Sequence, residues 1–367
     1  MEPVTHFLTG ACLSRAGFNR RTAYATLAMT LAADAPDLDV LWTFRGPVAA
    51  LEHHRGITHT FLGAPFVALA VTGFVFLWHR IRKKRGGPHA GGEDRANSSP
   101  QPRWGLIWLF SVFAVFSHLL LDFTNDYGLR PFFPFNPRWY SWNIVFIFEP
   151  LMFLALLGAL VMPAIFALTD REIGARRQRF RGRGWAIAAL VFVVVLYGVR
   201  NAEHQRAVGL LRAETLSEPT LRVAAAPYPI DPFHWRGILE TADYFQTAEV
   251  DTRSDLIDTE SGKVLYKPPV TMATLAAKRS YLGRIYLDWS TWPVVTDLGS
   301  VQAPGAAEIP NLPAPLPNWH TVEFRDLRFA GSPALLGNGR TPALSGWVYI
   351  GPGNEVEAMI FSGQEQK

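Results

Sequence analysis

A single cysteine, Cys12, stands in the whole chain, which excludes an intramolecular disulfide and a thiolate metal cluster. Any bound metal must therefore rely on histidines, carboxylates and water. The N-terminal stretch MEPVTHFLTG lacks the basic n-region and small-residue cleavage site of a secretory signal. Residues 201–367 contain no G-x-S-x-G, so nothing there suggests a nucleophilic serine. An internal repeat and ionisable residues near a membrane midplane are also missing, which argues against a transporter.

What the chain has in quantity is apolar sequence, unevenly spread. Hydrophobic residues make up 49% of its 367 positions. The long apolar runs all fall within residues 1–200, whereas 201–367 alternate in polarity like a soluble domain. Charge divides at the same place. Residues 1–200 carry 21 Lys+Arg against 12 Asp+Glu, and residues 201–367 carry 14 against 19. The pI near 9.2 thus reflects basic loops between apolar runs, and no nucleic-acid partner is read from it.

Four runs approach the length needed to cross about 30 Å of hydrocarbon: Thr60–Trp78, Trp104–Phe123, Ile144–Leu168 and the shorter Trp185–Val199. Two shorter stretches, Val4–Ser14 and Thr22–Ala33, are joined by the basic turn RAGFNRR and reach only part-way across. The expected fold is a membrane α-helical bundle of four long spans plus a short N-terminal helical hairpin, residues 1–200. A mixed, mainly β extramembrane domain follows over 201–367. The connections 15–21, 80–103 and 170–184 hold 3, 7 and 6 Lys+Arg, while 34–59 and 124–143 hold two each. By the positive-inside rule the N-terminus and the C-terminal domain are then extracytoplasmic. Within the basic loops, 83–103 is Gly-, Pro- and Ser-rich and is expected to be disordered.

That topology gathers His6, the Asp34–Asp39 segment, His54, His59, His118, Asp122 and Glu149 at one outer rim. SHLLLD places His118 and Asp122 at i and i+4 on one helical face, within reach of a common ion. In HHRGITH, Gly56 permits a tight turn and Thr58 is placed to cap the next helix, so that His59 projects from its first turn and His54 from the loop. Arg55 is suited to hold an anionic substrate or to pin an acidic ligand. DAPDLD offers Asp34, Asp37 and Asp39 from a loop, because Pro36 breaks the helix ending near Ala33. Glu149 sits in an apolar run, where a metal, an arginine such as Arg130 or Arg138, or protonation must compensate it. Each residue alone has an ordinary explanation as a helix-end hydrogen bond or an interfacial side chain. Seven on one side do not.

Together these pieces resemble the bacterial membrane-bound metal-dependent hydrolases, a family that includes a LexA-regulated inner-membrane member. The matching segments run from residue 3 to about 150: PVTHFLTG, PDLD, HRGITH, SHLLLDFTNDYG, RPFFPFNPRW and FEP. DPFHWR at 231–236 and the soluble tail resemble a longer-tailed branch. The resemblance implies a multi-pass protein of the bacterial inner membrane and a hydrolase. The ligand order His, Asp, His, then His-x-x-x-Asp is also similar to zinc-dependent phospholipase C and related single-strand nucleases. The chain departs from these by lacking a downstream HxxxE pair, so one or two ions, zinc or manganese, are expected rather than three.

The function expected is therefore a membrane-embedded hydrolase that cleaves a phosphoester, or another ester, through a metal-activated water. His6, Asp37, His54, His59, His118 and Asp122 form the ligand pool. Asp39 or Glu149 serves as base or orienting acid, and Arg55 stabilises charge on a phosphoryl group. A site at the bilayer surface suits membrane lipids as partners and an amphiphilic or lipid-linked substrate. The competing expectation is a non-catalytic membrane protein whose metal is structural and supports the envelope. In the tail, HTVEFRDLRF reads as a strand, SGWVYIGPGNEVEAMIF as a hairpin around GPGNE, and the prolines of 304–317 as an extended linker.

Overall fold

The computed structural model describes residues 1–85, 101–172, 182–260, 262–310, 312–329 and 344–366. Most of the expected disordered loop 83–103 lies outside them. The chain divides into two compact units. The first comprises Met1–Leu38, Arg55–Arg206 and Pro227–His234; the second comprises Asp39–His54, Ala207–Ala226 and Trp235–Lys367.

Helices α1 (Pro3–Ala16) and α2 (Ala25–Asp34) form the hairpin of the first unit. Their packing surfaces are made of small residues. A Cβ at Gly10 would lie 2.6 Å from the Met29 carbonyl oxygen and 2.7 Å from the Ala33 Cβ, so the two backbones approach as closely as glycine allows. Close approach of this kind is how helices associate where water gives no hydrophobic drive between them.

The long helices are α4 (Ala64–Arg85), α5 (Trp104–Thr124), α6 (Pro150–Glu172) and α7 (Arg183–Ala213), with the short α3 (Pro47–His53) in the second unit. Four stretches are long and apolar enough to cross a membrane: Ala64–Lys84, Trp104–Thr124, Pro150–Leu168 and Arg183–Ala213. The bounds differ from those expected: the first long helix begins at Ala64 rather than Thr60 and runs to Arg85, so that residues 83–85 of the loop expected to be disordered are helical. The third helix starts at Pro150, because residues before it are drawn into bridges such as Asn125 to Val145. The fourth is extended by polar residues to 31, well beyond Val199, and its last turns belong to the second unit. Ala25, Met29, Ala32 and Ala33 of α2 pack with Ala64 and Ala68 of α4 and with Ala114, Val115 and Leu119 of α5. Leu8 and Cys12 of α1 pack with Met152, Leu156 and Ala159 of α6 and Ala186 and Leu196 of α7.

The second unit is built on two antiparallel sheets. In the first, β1 (Arg222–Pro227), β2 (His234–Glu240), β3 (Tyr244–Asp251) and β4 (Leu256–Asp258) follow one another, and β5 (Val264–Tyr266) pairs with β3. The second sheet contains β6 (Pro293–Asp297), β7 (His320–Asp326), β8 (Gly346–Ile350), β9 (Val356–Phe361) and β10 (Gln364–Glu365), ordered β10-β9-β8-β7-β6. The hairpin expected around GPGNE is β8–β9, with Val348 opposite Met359. The 304–317 stretch joins β6 to β7, with one short 3-10 turn at Ala306–Glu308. Helices α8 (Met272–Arg279) and α9 (Tyr281–Trp289) lie between β5 and β6 in the chain. Trp235 is a fully buried core residue beside Leu211 and Leu239, and His234 bonds Asp231 at 3.0 Å.

Asp326 ends β7 as a fully engaged buried carboxylate. It accepts from Ser290 Oγ at 2.6 Å, Thr291 N at 3.0 Å and Arg328 Nη2 at 2.8 Å. Burial pushes its pKa up, but the Arg328 charge and these hydrogen bonds outweigh that and hold it below the ordinary carboxylate value. A carboxyl lowered on folding contributes stability above its unfolded pKa of about 3.9 and loses it as pH falls through the folded value. Asp326→Asn is expected to cost about 1–3 kcal/mol by replacing charge-assisted hydrogen bonds to Arg328, Ser290 and Thr291 with those of a neutral amide. Thermal melts of the full chain in detergent from pH 7 downward should show the variant less stable, with the difference from wild type shrinking at the acid end. In the first unit, Gly10→Val should force α1 from α2 and cost about 1–3 kcal/mol; an unchanged detergent melt would contradict that packing.

Candidate metal centre

Three segments bring the ligand-type residues together. After α2 ends at Asp34, Pro36 stops the α-helix, and the chain continues as a 3-10 run over Ala35–Arg45 rather than an open loop, presenting Asp37. His118 and Asp122 lie one turn apart on α5. The HRGITH turn is made differently from the sequence expectation. Its left-handed residue is Arg55 (φ 54°), whereas Gly56 has φ −78°. His59 ends a 3-10 turn, Ile57–His59, ahead of α4. Thr60, not Thr58, supplies the cap hydroxyl, accepting from Gly63 N at 2.8 Å. Thr58 Oγ1 instead lies 3.1 Å from His59 Nδ1.

Asp37, His59, His118 and Asp122 each offer one donor atom, all within 4.8 Å of one another, and the group could hold a metal ion. His59 Nε2 and His118 Nε2 face each other at 2.9 Å. His59 Nε2 is 3.3 Å from Asp37 Oδ1 and 3.4 Å from Asp122 Oδ2; His118 Nε2 is 3.6 and 3.5 Å from the same oxygens. Tetrahedral bonds of about 2.0–2.2 Å require ligand atoms roughly 3.3–3.6 Å apart. The four His–Asp edges of the cluster fall at that spacing, and the His59–His118 edge at 2.9 Å is shorter.

The ring protons follow from the outer partners. His118 Nδ1 lies 2.7 Å from the Ala33 carbonyl oxygen, an acceptor only, so Nδ1 carries the proton and Nε2 presents a lone pair inward. Placing that lone pair against the second inward ring nitrogen and two buried carboxylates is costly unless a cation or proton sits among them. Burial raises the Asp37 carboxyl, but its contact with His59 and the neighbouring imidazoles outweigh burial and hold it below the ordinary carboxylate range.

Asp122 is divided between two tasks. Oδ2 faces the histidines, while Oδ1 accepts from Arg55 Nη2 at 2.9 Å and is contacted by the Met1 amino group. Arg55 is buried, reaches the Gly128 carbonyl oxygen at 2.6 Å and Asn125 Oδ1 at 3.2 Å, and lies over the Tyr127 ring. Asn125 Oδ1 also accepts from Tyr127 N at 2.9 Å, which sets the turn after α5. Gly128 has φ 83°, where a side chain is strained. Of the two roles open to Arg55 in the sequence, its position is that of a clamp on an acidic ligand.

The remaining expected residues are placed as follows. His6 is fully buried and stacks on His118 with ring centroids 3.7 Å apart; its Nε2 is 3.4 Å from Asp122 Oδ1, and neither ring nitrogen has a hydrogen-bond partner among the described residues. His54 Nδ1 bonds Asp39 Oδ1 at 3.1 Å within the second unit. Neither belongs to the group of four. Glu149 is fully buried and paired with Arg200 at 2.5 Å, and Arg200 Nη1 donates to the Tyr228 carbonyl oxygen at 3.1 Å. Of the compensations open in the sequence, a metal, an arginine such as Arg130 or Arg138, or protonation, the structure has an arginine, but it is Arg200. Arg130 instead lies over the rings of Phe133 and Trp139. The available signal was an arginine directly after the apolar run ending at Val199.

The helix bundle with its buried His/Asp group is the arrangement of a multi-pass membrane protein with a possible metal site. The model of the YdjM inner membrane protein family matches residues 1–207, more than half of the chain, and the chain belongs to that family. Among curated proteins it is similar to the uncharacterized protein YfhP of Bacillus subtilis (strain 168), 24% identical over 170 residues. That alignment covers 44% of this chain and 46% of YfhP, so the chain spans less than half the length of this relative. No solved structure matches.

Loss of the clamp should loosen the donors without removing one. Arg55→Gln is expected to weaken metal binding about 10–100-fold, as changes to residues that orient ligands do. Competition against a chromogenic chelator would measure it. His79→Ala, which removes a ring paired with Tyr24 at 3.0 Å, should leave binding unchanged.

Proposed function

We propose that the protein is a membrane-embedded metal-dependent hydrolase acting on a phosphoester, or another ester, in a lipid or lipid-linked substrate. The observation that carries the reading is the four-donor group, two imidazoles and two carboxylates, spaced for a small divalent cation. Zinc suits the mixed N/O set, and manganese is the alternative the carboxylates allow. Asp37, His59, His118 and Asp122 would hold the ion, with His6 as a further nitrogen beside them. A cation there supplies Lewis acidity and makes water nucleophilic at neutral pH.

The chain's own groups do the rest. Asp122 brings negative charge to the donors while Arg55 fixes its second oxygen. Asp37 keeps Oδ2 without a hydrogen-bond partner among the described residues, and it is the donor with solvent exposure, at 13% of its side chain. Asp37 therefore marks the side from which water would reach a bound ion. The remaining groups thought to act in catalysis, Asp39 and Glu149, are committed to His54 and Arg200 and take no part in this scheme. Charge bias in the connections supports an extracytoplasmic C-terminal domain.

One observation favours the second reading, a structural metal that supports the envelope. Four protein donors suffice for a closed tetrahedral shell, and three of them are fully buried. Elemental analysis of detergent-purified wild type beside His59→Ala and His118→Ala tests the site itself. Near-stoichiometric zinc or manganese, lost in both folded variants, is expected. No metal in wild type after reconstitution would overturn both readings. Metal-dependent release of phosphate or a headgroup from phospholipid substrates, abolished with the metal, would support the hydrolase. Stoichiometric metal whose removal lowers the melting temperature but alters no turnover would support the structural reading.

A further inference from the structure

An apolar groove of about 420 Å³ lies in the first unit, beside the metal centre's own segments. Its walls include Phe61, Phe116, Leu119, Leu120, Phe132 and Tyr140. The hydroxyl of Tyr140, the polar side-chain group among these, is engaged by Asn136 Nδ2 at 3.2 Å. Among the described residues no charged side chain lines the groove. Leu120, Phe116, Phe61 and Phe132 are all exposed, and two of them lie on α5, one of the four stretches able to cross a membrane. The groove therefore continues the lipid-facing surface of that helix inward.

Its position is tied to the donors through the backbone. On α5 the groove residues Phe116, Leu119, Leu120 and Phe123 interleave with the donors His118 and Asp122 over the same two turns. Phe61 is two residues beyond His59, and its N–H donates to the Pro131 carbonyl oxygen at 2.9 Å, which fastens the groove's two loop walls together. Leu129 follows Gly128, whose carbonyl oxygen holds Arg55. The three segments that build the groove are those that build or brace the centre.

We propose that this groove seats one acyl chain of a membrane glycerolipid and sets the depth at which its headgroup ester is presented. Hydrocarbon is the chemistry that this wall of aliphatic and aromatic side chains accepts without leaving a polar group unpaired. The role as a substrate-tail site rests on the hydrolase reading; chain binding itself does not.

The full chain is placed in nanodiscs of phosphatidylethanolamine and phosphatidylglycerol containing a phosphatidylglycerol with a photoactivatable diazirine in its acyl chain. Labelled peptides are then mapped. Labelling is expected to concentrate on 116–123 and 129–132, to saturate, and to fall at least five-fold on competition with unlabelled phosphatidylglycerol. Leu120→Trp, which fills the groove from its exposed side, should reduce it similarly, whereas Val194→Trp on the exposed face of α7 should not. Metal content, unchanged in Leu120→Trp, shows that the bundle remains folded. Labelling spread over all lipid-facing helices in proportion to exposure, and not saturable, would overturn the proposal. Saturable labelling in a protein that binds no metal would retain the lipid site and sink the hydrolase.

Discussion

Asp122 places a fully buried carboxyl group inside an apolar helix bundle, and the first unit is organised around compensating it. An isolated charge in such surroundings is expensive, and one partner removed from a buried pair leaves the other stranded. Arg55 meets half of the need by binding Oδ1 from a residue in the left-handed region. That conformation is uncommon for a side chain of this size, and it is sustained by contacts with Asn125, Gly128 and Tyr127. The other oxygen faces two imidazole nitrogens and, beyond them, Asp37. A cation at that point would turn four mutually unfavourable neighbours into ligands.

The same economy of space explains the hairpin. His6 can stack on His118, and His118 can reach the Ala33 carbonyl oxygen, only if α1 and α2 pack closely against each other and against α5. Gly10, Ala28, Ala32 and Ala33 make that approach possible. Small residues in these two short helices therefore shape the candidate centre as directly as its His and Asp residues do. A second buried ion pair, Glu149 with Arg200, ties the start of α6 to α7 by the same logic of mutual compensation.

Much of this was readable from local pattern. The four apolar runs and the short hairpin follow from hydropathy and length, the i, i+4 pair from helical spacing, and β7, β8 and β9 from alternation and turn residues. Errors arose where one residue's conformation depended on distant contacts. Gly56 was the natural choice for the tight turn, yet Arg55 takes the positive φ because its guanidinium is held by groups 67 to 73 residues away. Thr58 was the nearer cap, yet Thr60 caps, since the chain makes a 3-10 turn before α4 begins. Arg130 and Arg138 were closer in sequence to Glu149 than Arg200, and proximity along the chain misled.

Composition and periodicity alone thus settle that this is a helical membrane protein with a β-rich tail and a stock of metal-ligand residue types, because burial preference and repeat length are local properties of the chain. They leave Asp34, Asp37 and Asp39 equivalent, and His54 equal to His59. Only packing separates them. The four residues of the candidate centre come from three segments that share no periodicity, and which neighbouring acid and histidine join the group is decided by the 3-10 run after α2 and by the turn at Arg55. Distances of a few ångströms between residues dozens of positions apart are fixed by helix contacts, and no local pattern encodes them.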